Sequence, residues 1–283
     1  VARTENGLKR VCSVFHKRIS MKKKKSLRYV VKIGSGLLTD TEGGIDMPQV
    51  VSISRQVSQL KTMGHEVVLV SSGAISAGMT VLGLTKRPKE LPMLQACATI
   101  GQPRLMHAYQ TALSAFDLVN AQILVTSWDL DSRRLHANTR KTLDTLLGLG
   151  RCVPIFNEND ALSFEEIEML NTFGDNDRLS AHVALLCDAD RLVILSSIDG
   201  LKTRPDGTGR LVREVHAVDK KIESYAGRTQ SERSVGGMIS KLNTAKMMLQ
   251  AGIPLVIANG REIDILIRIA RDERVGTWFQ KKG

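Results

Sequence analysis

The chain has 283 residues, 42% hydrophobic and 4% aromatic, enough for one large domain or two small ones around an aliphatic core. Its formal charge of +11 is unevenly placed: residues 1–28 hold ten Lys or Arg against one acid, Glu5, so nine of the surplus charges lie there and the body is close to neutral. That distribution argues against a nucleic-acid-binding body, no apolar run reaches the roughly 20 residues of a membrane span, and Cys12, Cys97, Cys152 and Cys187, with no CxxC pair, argue against a zinc site.

Residues 1–28 read as a basic, flexible extension that plays no part in catalysis, whether a disordered arm, a targeting segment or a leader; Met21 before four lysines is a candidate start. Tyr29 to Ile33 is β-prone and ends in Gly34-Ser35-Gly36. Gln49 to Met63 has helical spacing of Val50, Ile53, Val57, Leu60 and Met63, closed by Gly64. Glu66 to Val70 is a buried-strand run ending in Ser71-Ser72-Gly73, with a helix predicted over 74–82. Leu94 to Phe116 is helical, and Pro103 should kink that helix or mark its start. Strand 121–125, helix 134–147 and strand 152–156 follow, the last running into Asn157-Glu158-Asn159-Asp160. A helix over 179–187, a strand over 191–195, a hairpin or lid over 199–209, a helix over 238–249, a strand over 254–258 and a helix over 263–270 complete the reading. Alternating strands and helices imply one α/β domain with a mostly parallel sheet covered on both faces.

In such a sheet, ligands bind beyond the carboxyl ends of the strands. Here every apolar strand ends in a glycine, a hydroxyl or an amide. Two clusters stand out: Asn157 to Asp160, and Asn171-Thr-Phe-Gly-Asp-Asn-Asp-Arg-Leu-Ser-Ala181. Both are also ordinary turn sequences, so capped turns remain the plainer reading of these residues alone. Three glycine turns, Gly34 to Gly36, Gly73 and Gly236-Gly237, suit phosphate at helix starts. None fits a P-loop, a dehydrogenase fingerprint or the protein-kinase motifs. Lys32 lies inside an apolar strand, costly unless its ammonium meets an anion or points outward from an edge strand. Lys241, one turn after Gly236-Gly237, is either a second such cation or a solvated helix lysine.

Together, Val31-Lys32-Ile33-Gly34-Ser35, Val70 to Gly78, Asn157 to Asp160, Gly174 to Ala181 and Gly236-Gly237-Met238 to Lys241 resemble the glutamate 5-kinases of the amino-acid kinase superfamily. Gln95-Ala96 and Gly101-Gln102 fit as well, and the resemblance runs from about Tyr29 to Phe279. It implies a three-layer αβα sandwich around a mostly parallel central sheet. It implies an ATP-dependent, Mg2+-assisted phosphorylation of the γ-carboxylate of L-glutamate, the first step of proline biosynthesis, with L-proline as feedback inhibitor. It also implies a cytoplasmic homo-oligomer, dimer or tetramer, with neither a membrane nor a specific nucleic acid as partner. By motif, Ser72, Gly73, Asp160 and Asn176 would bind glutamate, Lys32 and Lys241 would contact the ATP phosphates, and Asp177 would orient these lysines. Gly34, Ser196, Ser197 and the segment Val235, Gly236, Gly237, Met238, Ile239, Ser240, Lys241 would line the nucleotide site. No metal ligand is assigned.

This sequence departs from the resemblance at Ser196-Ser197, where many members have an acid, and at Val235, which replaces a common Thr. Residues 29–283 would form the kinase domain, without the C-terminal PUA domain of many bacterial members or the reductase domain fused to the kinase in plant and animal enzymes. Other readings stay open: a relative acting on aspartate, acetylglutamate, carbamate or a nucleoside monophosphate; a nucleic-acid binder driven by the basic segment; and an inactive regulator that binds proline or glutamate. The six histidines are scattered and form no His-Asp constellation.

Overall fold

The computed structural model describes residues 26–126, 129, 133–162, 176–227 and 237–282. Among them, eight strands form one sheet: β1 Arg28–Ile33, β2 Glu66–Ser71, β3 Val119–Val125, β4 Cys152–Glu158, β5 Arg191–Ser196, β6 Glu214–Val215, β7 Leu255–Asn259 and β8 Thr277–Phe279. Their order is β3-β4-β2-β1-β5-β7-β8-β6. The strands from β3 to β7 are parallel; β8 runs antiparallel to β7, and β6 follows β8. The helices are α1 Ser35–Leu38, α2 Met47–Thr62, α3 Ala74–Val81, α4 Leu91–Ser114, α5 Arg133–Gly148, α6 Asn176–Leu186, α7 Lys220–Tyr225, α8 Met238–Ala251 and α9 Ile265–Ala270.

Strand alternation divides the core in two. Val31, Ile33, Val67, Leu69, Val193 and Val256 pack against α2, α4 and α9 on one face. Val30, Val68, Val70, Leu192, Ile194 and Leu255 pack against α5, α6 and α8 on the other. The result is three layers, helices over and under a mostly parallel sheet. Lys32 shares the parity of Val30, so its side chain enters the α6–α8 face.

The predicted elements are present, with shifted ends. Helix α2 starts two residues early because the Asp46 carboxylate accepts from the Gln49 N–H at 3.0 Å and Pro48 suits the first turn. Helix α4 runs through Pro103 without breaking. Both Pro103 and Thr99, whose carbonyl loses its usual donor, face solvent, where water can take that place. The expected hairpin over 199–209 is reduced to one bridge, Lys202 with Leu211. The folded body also begins earlier than Tyr29. Arg28 belongs to β1, the Ser26 hydroxyl donates to the Gly64 carbonyl at 2.6 Å, and the Leu27 N–H donates to His65 Nδ1 at 3.1 Å.

Helices α3 and α4 cross with two glycines in contact. A Cβ on Gly101 would lie 1.9 Å from the Ala74 carbonyl oxygen, and one on Gly78 would lie 1.8 Å from the Cys97 oxygen. Only bare backbone permits this approach. Gly101→Ala is expected to destabilise the protein by about 3 kcal/mol or more. Gly148→Ala, at a helix end with nothing within 4 Å of the added carbon, should change stability by less than about 1 kcal/mol. Urea unfolding of both variants checks the contrast; equal midpoints would show that the crossing tolerates a methyl group.

Candidate active site

A cleft of about 310 Å3 opens at the carboxyl ends of β1, β2, β4 and β5. Lys32, Gly34, Ser72, Gly73, Asp160, Asn176, Ser196, Ser197 and Lys241 line it, so one cavity gathers most residues singled out in the sequence. Gly237 caps α8, and Met238, Ile239 and Ser240 form its first turn, outside the lining. Val235 and Gly236 lie outside the described residues, as does the upstream part, 171–175, of the Asn171 to Ala181 cluster.

The floor of the cleft is an ion-pair bridge. Asp177, fully buried on the first turn of α6, sits between Lys32 Nζ at 2.7 Å and Lys241 Nζ at 2.9 Å. Lys32 arrives from a central strand rather than an edge strand, flanked by β2 and β5 in register with Val70 and Ile194. Lys241 arrives from the first turn of α8. Both lysines are 5% exposed, and that sliver faces the cleft. Burial pushes the Asp177 carboxyl up, but Lys32 and then Lys241 outweigh it and hold the group below the usual carboxylate range. The Asp177 carboxylate is therefore ionised at neutral pH.

The opposite wall is an amide network. Asn176 Nδ2 lies 3.0 Å from Ser72 Oγ, 3.1 Å from the Ser71 carbonyl and 3.2 Å from Asn157 Oδ1. Asn157 Nδ2 donates in turn to Gln102 Oε1 at 2.8 Å. The Tyr109 hydroxyl shares a 2.9 Å hydrogen bond with Ser71 Oγ from behind. Asn176 Oδ1 is buried and has no partner among the described residues, which leaves an acceptor for a ligand. Beyond it lies Asp160, pushed up to about 7 by burial and by Glu158, with Arg87 pulling the other way.

Two glycines shape the rim. Gly34 is not a free donor, contrary to the expectation that its N–H faces phosphate: it donates to the Leu195 carbonyl at 3.0 Å and so ties β1 to β5. A Cβ there would sit tightly, 3.3 Å, against the Leu195 carbonyl oxygen and in ordinary contact with Lys32 Nζ at 3.8 Å. Gly73 caps α3 at φ +105°, a conformation suited to glycine, and turns the chain beneath the cleft.

Sequence reasoning missed Arg87 and the roles of Gln102, Asn157 and Glu158. Arg87 sits in a charged loop, with no local signal to separate it from solvated side chains, and Gln102 was noted as part of a motif without a role. Asn157 and Glu158 were visible as part of a cluster but carried no assignment.

The sequence profile of the "Amino acid kinase family" matches residues 28–259. A protein named glutamate 5-kinase from Citrifermentans bemidjiense is 45% identical over 92% of this chain and 69% of its own length. Its namesake from Clostridium perfringens is 43% identical over 92% of this chain and 98% of its own length. That from Carboxydothermus hydrogenoformans is 46% identical over 90% and 68%. UMP kinase from Bacillus anthracis, a solved structure, covers 92% of this chain with 98% of its own at a TM-score of 0.60 and 15% identity, which shows the shared fold. The chain belongs to the amino acid kinase family, and to the glutamate 5-kinases within it.

The bridge has a measurable consequence. Asp177→Asn keeps the shape but removes the carboxylate that two buried ammonium groups share, at a cost of about 3–5 kcal/mol. A large fall in the urea midpoint is expected; an unchanged midpoint would show that the carboxylate does not hold the lysines.

Proposed function

We propose that this enzyme transfers the terminal phosphoryl group of ATP to the γ-carboxylate of L-glutamate, giving L-glutamyl 5-phosphate and ADP as the first step of proline synthesis. The observation that carries this reading is the two-ended cleft: a cationic Lys32–Asp177–Lys241 floor, and an acidic and amide-lined far wall.

The acceptor needs no general base. A glutamate side chain has an ordinary pKa of about 4.3, so it is already an oxyanion at neutral pH. One carboxylate oxygen bonds to the γ-phosphorus while the bond from phosphorus to the β,γ-bridging oxygen breaks, and ADP leaves with that electron pair. The obstacle is repulsion between an anion and a polyanion, so catalysis is positioning plus charge neutralisation. Lys32 and Lys241 supply fixed positive charge from buried positions, where it acts more strongly than in water. Asp160 and Asn176 Oδ1 receive the substrate ammonium, and Ser72 and Gly73 set its orientation.

Gly34, Ser196, Ser197 and the 235–241 segment would frame the nucleotide. Among the described residues, no three His, Cys, Asp or Glu side chains converge as a metal cage. This suits Mg2+ brought in by the phosphates themselves with its water shell, where it would shield their charge. L-proline carries the ammonium and carboxylate of glutamate without its distal acid, and would compete for the far wall as a feedback inhibitor. We further propose a homo-oligomer in which residues 1–28 take no part in the chemistry. Cys97, Cys152 and Cys187 are buried and free, consistent with a reducing cytoplasm.

The deciding assay is glutamate-dependent ADP formation with hydroxamate trapping of the acyl phosphate. Lys32→Ala should lower kcat by about two to four orders of magnitude; a change of only a few-fold would remove Lys32 from the mechanism. The pH profile gives a second test. Asp160 titrates near 7 in the empty cleft, so below that pH it holds a proton that must leave before an ammonium can pair with it. The kcat/KM for glutamate should fall about tenfold per pH unit below that point. Asp160→Asn should lower kcat/KM and flatten the limb. An unaltered limb in that variant would assign the titration to another group.

A further inference from the structure

We infer that Arg87 is the specificity-determining residue that holds the α-carboxylate of the amino-acid substrate. The inference deepens the proposed glutamate reaction and rests on it.

Arg87, Lys32 and Lys241 are the three cations among the described residues that line the cleft. The lysines share Asp177 at one end. Arg87 makes no hydrogen bond and no ion pair among the described residues, although it lines the same cavity as Glu158 and Asp160. Arg87 is exposed at the rim of the cleft, and Asp160 nevertheless acts on it: partial desolvation lowers the guanidinium pKa and the Asp160 charge opposes that shift. An arginine stays charged in either case. The far end of the cleft therefore carries a separated pair, acids and a guanidinium, with no bond between them to satisfy it.

The substrate proposed above has three charges in a fixed arrangement. Its ammonium and α-carboxylate share one carbon, and its distal carboxylate stands several bonds away. The sheet matches that spacing. β4, which leads into Asp160, and β1, which carries Lys32, are separated by β2, so their backbones are about 10 Å apart. Side chains reaching in from both leave room for a substrate the length of glutamate. With the distal carboxylate at the lysines and the ammonium at Asp160, the α-carboxylate must lie within a bond or two of Asp160. Arg87 is the lining cation left for it.

The backbone holds Arg87 for this task. The residue before a proline is restricted to extended conformations, and Pro88 follows Arg87 directly. Leu84 and Leu91, on either side, pack with Ile75 and Cys97 into a small apolar cluster. The loop is thus pinned at both ends to α3 and α4, whose glycine crossing fixes their relative position. A planar guanidinium can then meet a carboxylate with two parallel hydrogen bonds, which a lysine cannot reproduce.

The test compares L-glutamate with its 1-amide, which keeps the ammonium and the distal acid but loses the α-carboxylate charge. Equilibrium binding and turnover are measured for the wild type, Arg87→Ala and Arg87→Lys. The expected result is a wild type that favours glutamate over the 1-amide. In Arg87→Ala, glutamate affinity should fall by about 10- to 100-fold, 1-amide affinity should change little, and Arg87→Lys should recover only part of the loss. The KM for ATP should stay within about two-fold in both variants. Equal binding of L-glutamate by wild type and Arg87→Ala, an unchanged ratio between the two ligands, or a loss confined to the KM for ATP would overturn the inference. Failure of the wild type to form ADP from glutamate would count against the proposed reaction, a separate reading from the binding comparison.

Discussion

Two ammonium groups held side by side beneath the cleft are the constraint on which the site depends. At an effective dielectric of about 20 and a separation of about 5 Å, their repulsion is on the order of 3 kcal/mol, before either group's lost hydration is counted. Asp177 makes the arrangement possible by giving one carboxylate oxygen to each lysine. That carboxylate sits on the first turn of α6, where the helix dipole favours negative charge. Both ammonium groups keep a small exposed edge, and the cleft is where that edge faces.

The fold exists around that point. β1 is the centre of the sheet, so Lys32 is fixed by neighbours on both sides and by helices above and below. α6 and α8 pack on the same face, and each brings one member of the bridge to it. On the other side of the cleft, the α3–α4 glycine crossing sets where Gln102 meets Asn157, and through Asn157 where the Asn176 amide points. Remote packing therefore positions polar atoms that no strand or helix could place alone.

Much of this was legible in the sequence, because a charged or amide residue inside an apolar run is rare and needs a reason. Lys32 had that signature, Asp160, Asn176 and Asp177 stood out as members of two Asn/Asp clusters, and all four sit at the site. The edge-strand alternative for Lys32 fails because β2 and β5 cover both sides of β1. Short elements were not legible: α1, β6, α7 and β8 span only two to six residues each. Their conformation comes from tertiary contact, as in β8, whose Trp278 and Phe279 pair back onto β7 in the antiparallel sense. Arg87, and the role of Gln102, were hidden for another reason. Polar residues in loops and on helices are the norm, and only the fold shows which of them reach the cleft or its supporting network.

The charge pattern also decides what kind of ligand the cleft prefers. Three cations, Lys32, Arg87 and Lys241, line it, against Glu158 and Asp160 in the wall and Asp177 beneath. With all six ionised these described groups sum to zero, so they do not make a general trap for anions. It is polarised instead, positive at the lysine floor and acidic at the far wall. A phosphate monoester would gain at the floor but lose against Glu158 and Asp160, which disfavours a nucleoside monophosphate as acceptor. A molecule with an ammonium at one end and a carboxylate at the other gains at both. The raised pKa of Asp160 sharpens this choice, because the acid ionises fully only when a cation arrives to pair with it. Selectivity for a dipolar amino acid then follows from where opposite charges are separated, rather than from how many are present.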